Sequence, residues 1–278
     1  MTSTTYRNAK VHDGACIAYE DHGSAEFGTL VLLHSLGADG RMWDGCLESL
    51  ARDHRVIVPD TRGHGASGPG ISLSVDVWVD DLAGVLDAAD VDTAALIGVS
   101  LGGIQALSYA AAYPGRVAGL VIADSFVALA PDVARAKIDY LCDQAQRHSM
   151  EEVAAQYVAD TFEQPYPAGA EGVRRAFAAM DSSSYLAAVK ACFGAQIEDR
   201  LTDVISPTLV LWGDRDSKTP RTLSEQIVAG VKDARLAVVP DAGHLSNVDN
   251  PEGFVDELTT FIIERCALPA RLTAEGGN

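Results

Sequence analysis

The sequence contains little that would build a disulfide framework, a metal centre or a membrane span. Its five cysteines are odd in number, scattered and never arranged as CxxC: Cys16, Cys46, Cys142, Cys192 and Cys266. This pattern argues against a disulfide-rich secreted fold and a zinc site, and favours a reducing compartment. No apolar run approaches the ~20 residues that cross a bilayer, and the opening MTSTTYRNAK lacks the apolar middle of a signal peptide. We therefore expect a cytoplasmic location and no membrane partner.

Positive charge is also scarce. The 278 residues include 21 Lys and Arg against 39 Asp and Glu, so the formal net charge is −18. Such a balance argues against nucleic acid and anionic lipid surfaces as partners, because both are negatively charged. Hydrophobic residues, in contrast, make up 47 % of the chain. This allows a large buried core, and the length fits one α/β unit with an insertion.

Short apolar runs rich in Val, Ile and Leu alternate with helical patterns. The runs are TLVLLH (29–34), RVIVPD (55–60), AALIGV (94–99), VAGLVIAD (117–124), PTLVLWG (207–213) and RLAVVPD (235–241). Continuous hydrophobicity predicts strands buried on both faces, as in a parallel sheet. Between the runs, a helix is predicted after the N-cap residue Ser74, and Pro251 predicts the start of another. The alternation of strands and helices predicts a doubly wound α/β sheet.

One segment, from about residue 125 to 205, has helical patterns and no predicted strand. Four helices are predicted there, within PDVARAKIDYLCDQAQRH, EEVAAQYVADTF, EGVRRAFAAM and SYLAAVKACFGAQI. A helical insertion between two strands is expected to form a lid over the carboxyl edge of the sheet, where open α/β folds bind ligands. The predicted division is therefore a first core part (1–124), a helical lid (125–205) and a second core part (206–278).

The pentapeptide from Gly98 to Gly102, GVSLG, fits the pattern G-x-S-x-G with Ser100 at its centre. It lies between a predicted strand and a predicted helix, which is the setting of a nucleophile elbow. The turn is so tight that the positions two before and two after the serine accept almost no side chain. The alternative is a serine that caps the helix, and the setting favours the nucleophile.

A serine nucleophile needs a base that is oriented by an acid. His244 follows the last predicted strand, so its loop lies at the same sheet edge as Ser100. Asp214 and Asp216 both follow the strand at 207–213. We favour Asp216, because the acid usually lies a few residues past the strand end, and expect Asp214 to bond nearby backbone N–H groups of the turn. Asp124 is a weaker rival.

The other six histidines are expected to have no catalytic part. His12, His22, His54 and His148 lie in polar or helical surface contexts, where we expect them to be solvated. His34 and His64 lie in loops at strand ends, where we expect structural hydrogen bonds.

Acyl transfer also needs N–H groups that stabilise the oxyanion. The N–H of Leu101 directly follows the nucleophile, and Leu36 in HSLGADGRMWD (34–44) is the expected second donor. In the same loop, Trp43 and Arg41 are candidate substrate-binding residues. The alternative for Trp43 is a position in the core, and the alternative for Arg41 is the solvated surface. The cations of the predicted lid could likewise bind a carboxylate, although a solvated surface is favoured for each: Arg135, Lys137, Arg174, Arg175 and Lys190.

A nucleotide cofactor is not indicated. The glycine-rich DTRGHGASG (60–68) lacks the lysine of a phosphate-binding loop, and no G-x-G-x-x-G follows the first strand. We expect this loop to support the oxyanion loop, and we expect neither a metal nor an organic cofactor.

Taken together, these segments resemble the α/β-hydrolase superfamily over about residues 15–267. Within it, HSLGADGRMWD, the stretch from DTRGHGAS to GVSLGG, and AGHLSNVDNPEGF look like the 3-oxoadipate enol-lactonases and related small carboxylesterases. The resemblance implies a nucleophile at Ser100, an acid at Asp216, a base at His244 and oxyanion donors at Leu36 and Leu101. It also implies the α/β-hydrolase fold, a mostly parallel eight-stranded sheet flanked by helices, with a helical lid inserted before the acid-bearing strand.

The function predicted on this basis is hydrolysis of small, mostly apolar carboxylic esters or lactones through an acyl-enzyme. Between residues 132 and 205 the chain has no clear counterpart of the lactonase lid, so the substrate is left open. The alternatives are a specific enol-lactonase, or a slow hydrolase that serves as a ligand receptor or perhydrolase. The expected partner is a small-molecule ester or lactone, and a homodimer is left open.

Overall fold

The computed structural model describes residues 6–266 and residue 268 of the chain. One eight-stranded sheet runs through these residues in the order β1-β2-β4-β3-β5-β6-β7-β8. The strands are β1 (Arg7–Lys10), β2 (Cys16–Gly23), β3 (Thr29–Leu33), β4 (Arg55–Pro59), β5 (Ala94–Val99), β6 (Val117–Ala123), β7 (Thr208–Gly213) and β8 (Ala234–Val239). Strand β2 pairs antiparallel with β1 and β4, whereas all the other neighbours are parallel. The predicted mostly parallel sheet is confirmed.

Helices flank this sheet. They are α1 (Asp44–Ala51), α2 (Val75–Ala88), α3 (Leu101–Ala112), α4 (Pro131–Arg147), α5 (Met150–Thr161), α6 (Ala170–Ala178), α7 (Ser182–Phe193), α8 (Arg221–Gly230), α9 (Ser246–Asp249) and α10 (Pro251–Arg265). Short 3₁₀ helices cover Gly40–Trp43, Pro114–Arg116 and Glu198–Asp203. Within residues 6–266 and 268, none of the helices is long and apolar enough to cross a membrane.

All six apolar runs form strands, and each observed boundary lies within two residues of the predicted one. In β3 to β7 the side chains on both faces of the sheet are buried, which explains their continuous hydrophobicity, whereas β8 at the edge of the sheet buries only Val239. In β5, Leu96 belongs to the hydrophobic core on one face, while Ala95 and Ile97 belong to the core on the other. Burying a large aliphatic side chain stabilises the fold by about 1.5–3 kcal/mol. These strands therefore give rigid support to the residues that follow their carboxyl ends.

The predicted helix starts are also confirmed. The Ser74 hydroxyl accepts a hydrogen bond from the N–H of Val77 at 3.2 Å and so caps α2. Pro251 is the first residue of α10, where its missing N–H costs nothing because the first turn has no intrahelical acceptor. Asn250 caps the same helix through the N–H of Gly253.

The segment between β6 and β7 folds into four helices, α4 to α7, at the places that the sequence predicts. Its residues add no strand to the sheet, and one isolated antiparallel bridge joins Ala128 to Gln196 within the segment. The rings of Phe126, after β6, and Phe193, at the end of α7, stack with their centroids 6.0 Å apart. This contact fixes the start and the end of the helical segment beside each other.

Candidate active site

Ser100 lies in the turn between β5 and α3, with φ 55° and ψ −113°. A positive φ is unusual for a residue with a side chain, and here it turns the chain from the strand directly into the helix. The turn is held from outside: the N–H of Ser100 donates to the carbonyl of Ala123 at 2.9 Å, and the Ser125 hydroxyl donates to the carbonyl of Ser100 at 2.7 Å. The neighbouring strand β6 and its loop therefore hold the serine in place.

Two glycines make this turn possible. A Cβ atom at Gly98 would lie 2.2 Å from the carbonyl oxygen of Gly102, and one at Gly102 would lie 2.2 Å from that of Leu33. Both contacts involve backbone atoms, which have no room to move aside. The sequence pattern G-x-S-x-G therefore has a steric origin in this fold.

The structure brings the side chains of Ser100, His244 and Asp216 together. His244 Nε2 lies 3.1 Å from Ser100 Oγ, and His244 Nδ1 lies 3.1 Å from Asp216 Oδ2. All three are buried, with exposures of 7 %, 8 % and 4 % in the order serine, histidine, aspartate. The carboxylate makes Nδ1 the protonated ring nitrogen, which leaves Nε2 free to accept the hydroxyl proton of the serine.

Further hydrogen bonds hold the Asp216 carboxylate in its ionised form. Its Oδ1 accepts from the N–H groups of Lys218 and Thr219 at 2.8 and 3.0 Å, and its Oδ2 accepts from the Thr219 hydroxyl. Burial by itself raises the pKa of this carboxyl, but His244 and Thr219 outweigh it, so the net pKa is lowered. The group is therefore a carboxylate at neutral pH. Sequence reasoning missed Thr219, although its position three residues after an aspartate is a usual signal of a local turn.

The two other aspartates at this edge have different surroundings. Asp124 is fully buried, and its two oxygens accept from the N–H groups of Gly213 and Ser246 at 2.8 and 3.2 Å. It ties the end of β7 to the loop of His244 through these backbone hydrogen bonds. Burial and, next, the nearby Asp216 raise the pKa of Asp124 well above its usual range. Asp214 accepts from the N–H of Ala242, which lies in the loop after β8 and not in the turn of Asp214 itself.

The loop that contains Leu36 is supported as the sequence predicts. Asp60 accepts from the N–H groups of Gly40 and Ala66, and His34 Nε2 accepts from the N–H of Thr61. The loop at 60–68 is thereby joined to the loop after β3. Leu36 lines the cavity over Ser100. The N–H of Leu101 is the first of α3, and so has no acceptor within the helix.

A cavity of about 360 Å³ opens over these residues, between the sheet edge and the helical segment. Ser35, Leu36, Ser100, Thr219 and His244 form its floor. The apolar and aromatic side chains of its wall are Phe126, Tyr140, Leu141, Val153, Tyr157, Phe177, Tyr185, Cys192 and Phe193. A small, largely apolar molecule would fit there beside the serine hydroxyl.

Two expectations about substrate contacts are wrong. Trp43 is fully buried against Phe254, with the ring centroids 5.9 Å apart, and it does not line the cavity. It belongs to the hydrophobic core between the sheet and α10, together with Phe254. Arg41 also lies away from the cavity, because its guanidinium pairs with Asp39 two residues earlier.

The histidines outside the site follow the prediction in part. His12 and His148 are exposed, as expected, and His148 also lines the cavity. His54 is buried instead of solvated, and its Nδ1 lies 3.0 Å from the carbonyl oxygen of Phe27. Since burial disfavours the charged form, the pKa of His54 is lowered. His22 is half-buried beside Glu20.

Two lysines lie in the cavity wall, and of these only Lys137 is a sequence-based candidate for binding a carboxylate. Lys137 was expected on the solvated surface, but it lines the cavity, and so does Lys218. Helical periodicity predicts that Lys137 lies on a helix but not which way its side chain points. Lys218 lies in a loop, where no pattern predicts the direction of a side chain. In the part of the chain that the structure describes, no group of three or more His, Cys, Asp and Glu side chains could hold a metal ion.

Comparison with known proteins agrees with this geometry. The chain is 25 % identical over 250 residues to 3-oxoadipate enol-lactonase 1 of Acinetobacter baylyi, covering 90 % of this chain and 94 % of the relative. It is 30 % identical over 278 residues to a protein of Azorhizobium caulinodans named as the carbamate hydrolase RutD, covering 90 % and 96 %. The solved structure of a thermophilic esterase from Thermogutta terrifontis is similar at a TM-score of 0.84 and 26 % identity, covering 94 % of this chain and 98 % of that one.

The family comparison covers most of the chain. Residues 30–257 match the alpha/beta hydrolase family, a stretch that includes the turn at Ser100, the loop of Asp216 and the loop of His244. The chain therefore belongs to the alpha/beta hydrolase family.

Proposed function

We propose that the protein hydrolyses carboxylic esters or lactones through an acyl-enzyme on Ser100. The observation that carries this proposal is the chain of two 3.1 Å contacts from Ser100 Oγ through His244 to Asp216, at the floor of a largely apolar cavity. A serine hydroxyl becomes a nucleophile when a neighbouring base accepts its proton, and this imidazole is in reach to do so.

In the first half of the reaction, Ser100 Oγ attacks the substrate carbonyl and its proton passes to His244 Nε2. The negative charge on the carbonyl oxygen is stabilised by the N–H groups of Leu101 and Leu36; losing one such donor typically costs about 3–4 kcal/mol. Asp216 stabilises the imidazolium. The carbon–oxygen bond to the alcohol then breaks, and His244 gives its proton to the leaving oxygen.

In the second half, water replaces the alcohol. His244 accepts a proton from that water as its oxygen attacks the acyl carbonyl. The bond between the acyl carbon and Ser100 Oγ then breaks, His244 returns the proton to Oγ, and the carboxylic acid leaves. The helical segment between β6 and β7 acts as a lid in this scheme, because its side chains form most of the cavity wall. It would limit access of bulk water and select the acyl group.

The first test is the hydrolysis of p-nitrophenyl butyrate by the Ser100→Ala variant. Without the hydroxyl no acyl-enzyme can form, so kcat/KM should fall by about 10³-fold or more. Ser108→Ala is the matched control: this serine of α3 is fully buried, and its hydroxyl has no partner among the described residues. The control should keep wild-type turnover. Persistent hydrolysis by Ser100→Ala would rule out the mechanism.

The role of His244 is tested separately with an organophosphate that labels active serines. His244→Ala should slow the labelling of Ser100 by several orders of magnitude, because the hydroxyl keeps its proton. Equal labelling rates with and without the imidazole would show that another group is the base.

A narrower candidate is a lactonase, which the enol-lactonase relative at 25 % identity favours. The chemistry is the same, but the leaving alcohol stays attached to the acyl group. We expect a five-membered enol-lactone to be hydrolysed with a kcat/KM at least about ten-fold above that of an open-chain ester with the same number of carbons. The reverse order would assign the cavity to open-chain esters. An aryl carbamate belongs in the same screen, in view of the relative named as a carbamate hydrolase.

A further inference from the structure

The loop after β3 and the loop of His244 meet at one buried methionine. Met42 lies in the 3₁₀ helix after β3 and is 2 % exposed. Its Sδ accepts a hydrogen bond from the N–H of Ser35 at 3.2 Å. Its carbonyl oxygen accepts another, at 3.0 Å, from the side-chain amide of Asn247 in the loop of His244. One residue is therefore hydrogen-bonded to both loops.

The N–H of Ser35 depends on this sulfur atom. Ser35 is 1 % exposed, so its N–H is shielded from solvent. A buried backbone N–H without an acceptor is costly, and residues 6–266 and 268 offer this one only the thioether of Met42. A thioether is a weak acceptor, whereas a leucine of similar volume has no acceptor at all. The sulfur atom, and not the bulk of the side chain alone, therefore holds this N–H.

The carbonyl group of Ser35 is held as well. His34 Nε2 accepts from the N–H of Thr61, so the ring proton lies on Nδ1, which donates to the carbonyl oxygen of Ser35 at 2.8 Å. The N–H of Ala38 donates to the same oxygen at 3.1 Å. Because both its N–H and its carbonyl are bound, Ser35 keeps the peptide planes on its two sides in place.

The N–H of Leu36 belongs to the second of these planes. In a trans peptide the N–H points away from the preceding carbonyl, and that carbonyl accepts from His34 and Ala38. Among the residues that the structure describes, none accepts a hydrogen bond from the N–H of Leu36. Ser35, Leu36 and Ser100 line the same cavity. An N–H fixed in direction and without a protein acceptor is what an oxyanion donor requires.

We propose that Met42 is a positioning residue for acyl transfer. Its thioether orients the peptide unit that presents the N–H of Leu36 to the oxyanion, and its carbonyl keeps that unit in register with the loop of His244. This inference rests on the proposed function and deepens it, because Met42 does not line the cavity and so acts through other residues. Asn247 is the second member of the arrangement: it is fully buried, and its own carbonyl accepts from the Cys46 thiol at 3.5 Å.

The two loops have to be in register because two charges form in one step. Negative charge develops on the carbonyl oxygen of the substrate as the proton moves to His244 Nε2, so donor and base are needed together. A displacement of about 1 Å can cost up to about 10²-fold in rate, even when its origin lies away from the reacting atoms. Substrate binding depends instead on the cavity wall, to which Met42 does not contribute. Loss of the sulfur atom should therefore lower kcat and leave KM nearly unchanged.

The experiment removes the sulfur atom and keeps the volume. Met42→Leu is assayed with p-nitrophenyl butyrate, and we expect kcat to fall about ten-fold while KM changes by less than about two-fold. The matched control is Met180→Leu, the same exchange at another buried methionine that does not line the cavity. In the described part of the chain the sulfur of Met180 accepts no hydrogen bond, so this control should keep the wild-type kcat and KM.

A pair of inhibitors separates positioning from a general loss of structure. Ser100 Oγ adds to the carbonyl carbon of a trifluoromethyl ketone, its proton passes to His244 Nε2, and the carbonyl oxygen becomes an oxyanion. The methyl ketone of the same chain length binds without forming this charge. In Met42→Leu we expect the Ki of the trifluoromethyl ketone to rise about ten-fold and the Ki of the methyl ketone to stay the same. An unchanged Ki for the first ketone, or equal rises for both, would overturn the positioning role.

Asn247 is tested by a double-mutant cycle. Asn247→Ala removes the donor to the carbonyl of Met42, and we expect kcat to fall about ten-fold and the two ketones to respond as in Met42→Leu. It therefore decides the question even if Met42→Leu does not fold. If both residues hold the same peptide unit, the double variant should stay within about three-fold of the less active single variant. Losses that multiply would overturn the link between the two loops.

The outcomes separate this inference from the proposed function. Hydrolysis of p-nitrophenyl butyrate by Ser100→Ala would overturn the acyl-enzyme mechanism. A wild-type kcat in Met42→Leu, while Ser100→Ala is inactive, would overturn the positioning role of Met42 alone.

Discussion

Three aspartates follow strand ends at the same edge of the sheet, and their surroundings give each a different role. Asp216 faces the imidazole and is kept ionised by three donors in addition to His244. Asp214 is exposed at a turn. Asp124 is fully buried, and both its oxygens accept from backbone N–H groups. The residue type is the same in all three, so the role of each carboxyl depends on what its two oxygens accept.

This comparison predicts how the fold responds to loss of Asp124. In Asp124→Ala two buried N–H groups lose their acceptor, which costs about 1–3 kcal/mol each, while removal of a poorly solvated carboxyl offsets part of that loss. We expect the free energy of unfolding to fall by about 2 kcal/mol, measured by urea titration. The matched variant Asp214→Ala should change it by less than about 0.5 kcal/mol. Equal losses would show that Asp124 does not brace the His244 loop.

Single residues could be predicted from the sequence where their position along the chain fixes their position in space. Ser100, Asp216 and His244 each follow a strand of a parallel sheet, and such strand ends share one edge. Their catalytic roles are a proposal, but their closeness in space could be predicted from the sequence. The directions of Trp43 and Lys218 could not, because a loop residue can face the core, the solvent or a cavity without any change in the local pattern.

At the scale of secondary structure, the strands that could be predicted are those with a continuous apolar run, and all of them except β8 are buried on both faces. Strands β3 to β8 form the six apolar runs, and the helical periods between them match the observed helices. Strands β1 and β2 gave no such signal. β1 buries only Ala9 of its four residues, and the last half of β2 is polar. These are the strands at the antiparallel end of the sheet, where one face or one edge is open and hydrophobicity is correspondingly weak.

The helical segment between β6 and β7 shows the limit of prediction at this scale. Its four helices could be located from periodicity, since each has an apolar stripe. Which side chains of each helix line the cavity could not be predicted, because that depends on how the helices pack together. The substrate preference of the cavity therefore follows from the packing of this segment, whereas the catalytic geometry follows from the sheet.

At the scale of the whole molecule, charge is distributed unevenly. The formal net charge is −18, and arginines supply the positive partner in most of the ion pairs among the described residues. The two lysines of the cavity wall, Lys137 and Lys218, share that wall with the acids Glu152 and Asp160. Repulsion between the many unpaired carboxylates of the surface acts against the compact state.

This excess of negative charge predicts that salt stabilises the fold. Raising NaCl from about 20 mM to about 200 mM shortens the Debye length from roughly 20 Å to below 10 Å, which screens long-range repulsion between carboxylates. The same salt weakens the exposed ion pairs, such as Arg147–Asp143, but each of these contributes at most about 1 kcal/mol and many contribute nothing. Repulsion should therefore dominate, and we expect Tm to rise by about 2–4 °C, equivalent to roughly 1 kcal/mol for a chain of this size. Scanning calorimetry in NaCl and in KCl at equal ionic strength distinguishes screening from binding of a particular cation. A Tm that falls with either salt would show that the ion pairs outweigh the net charge.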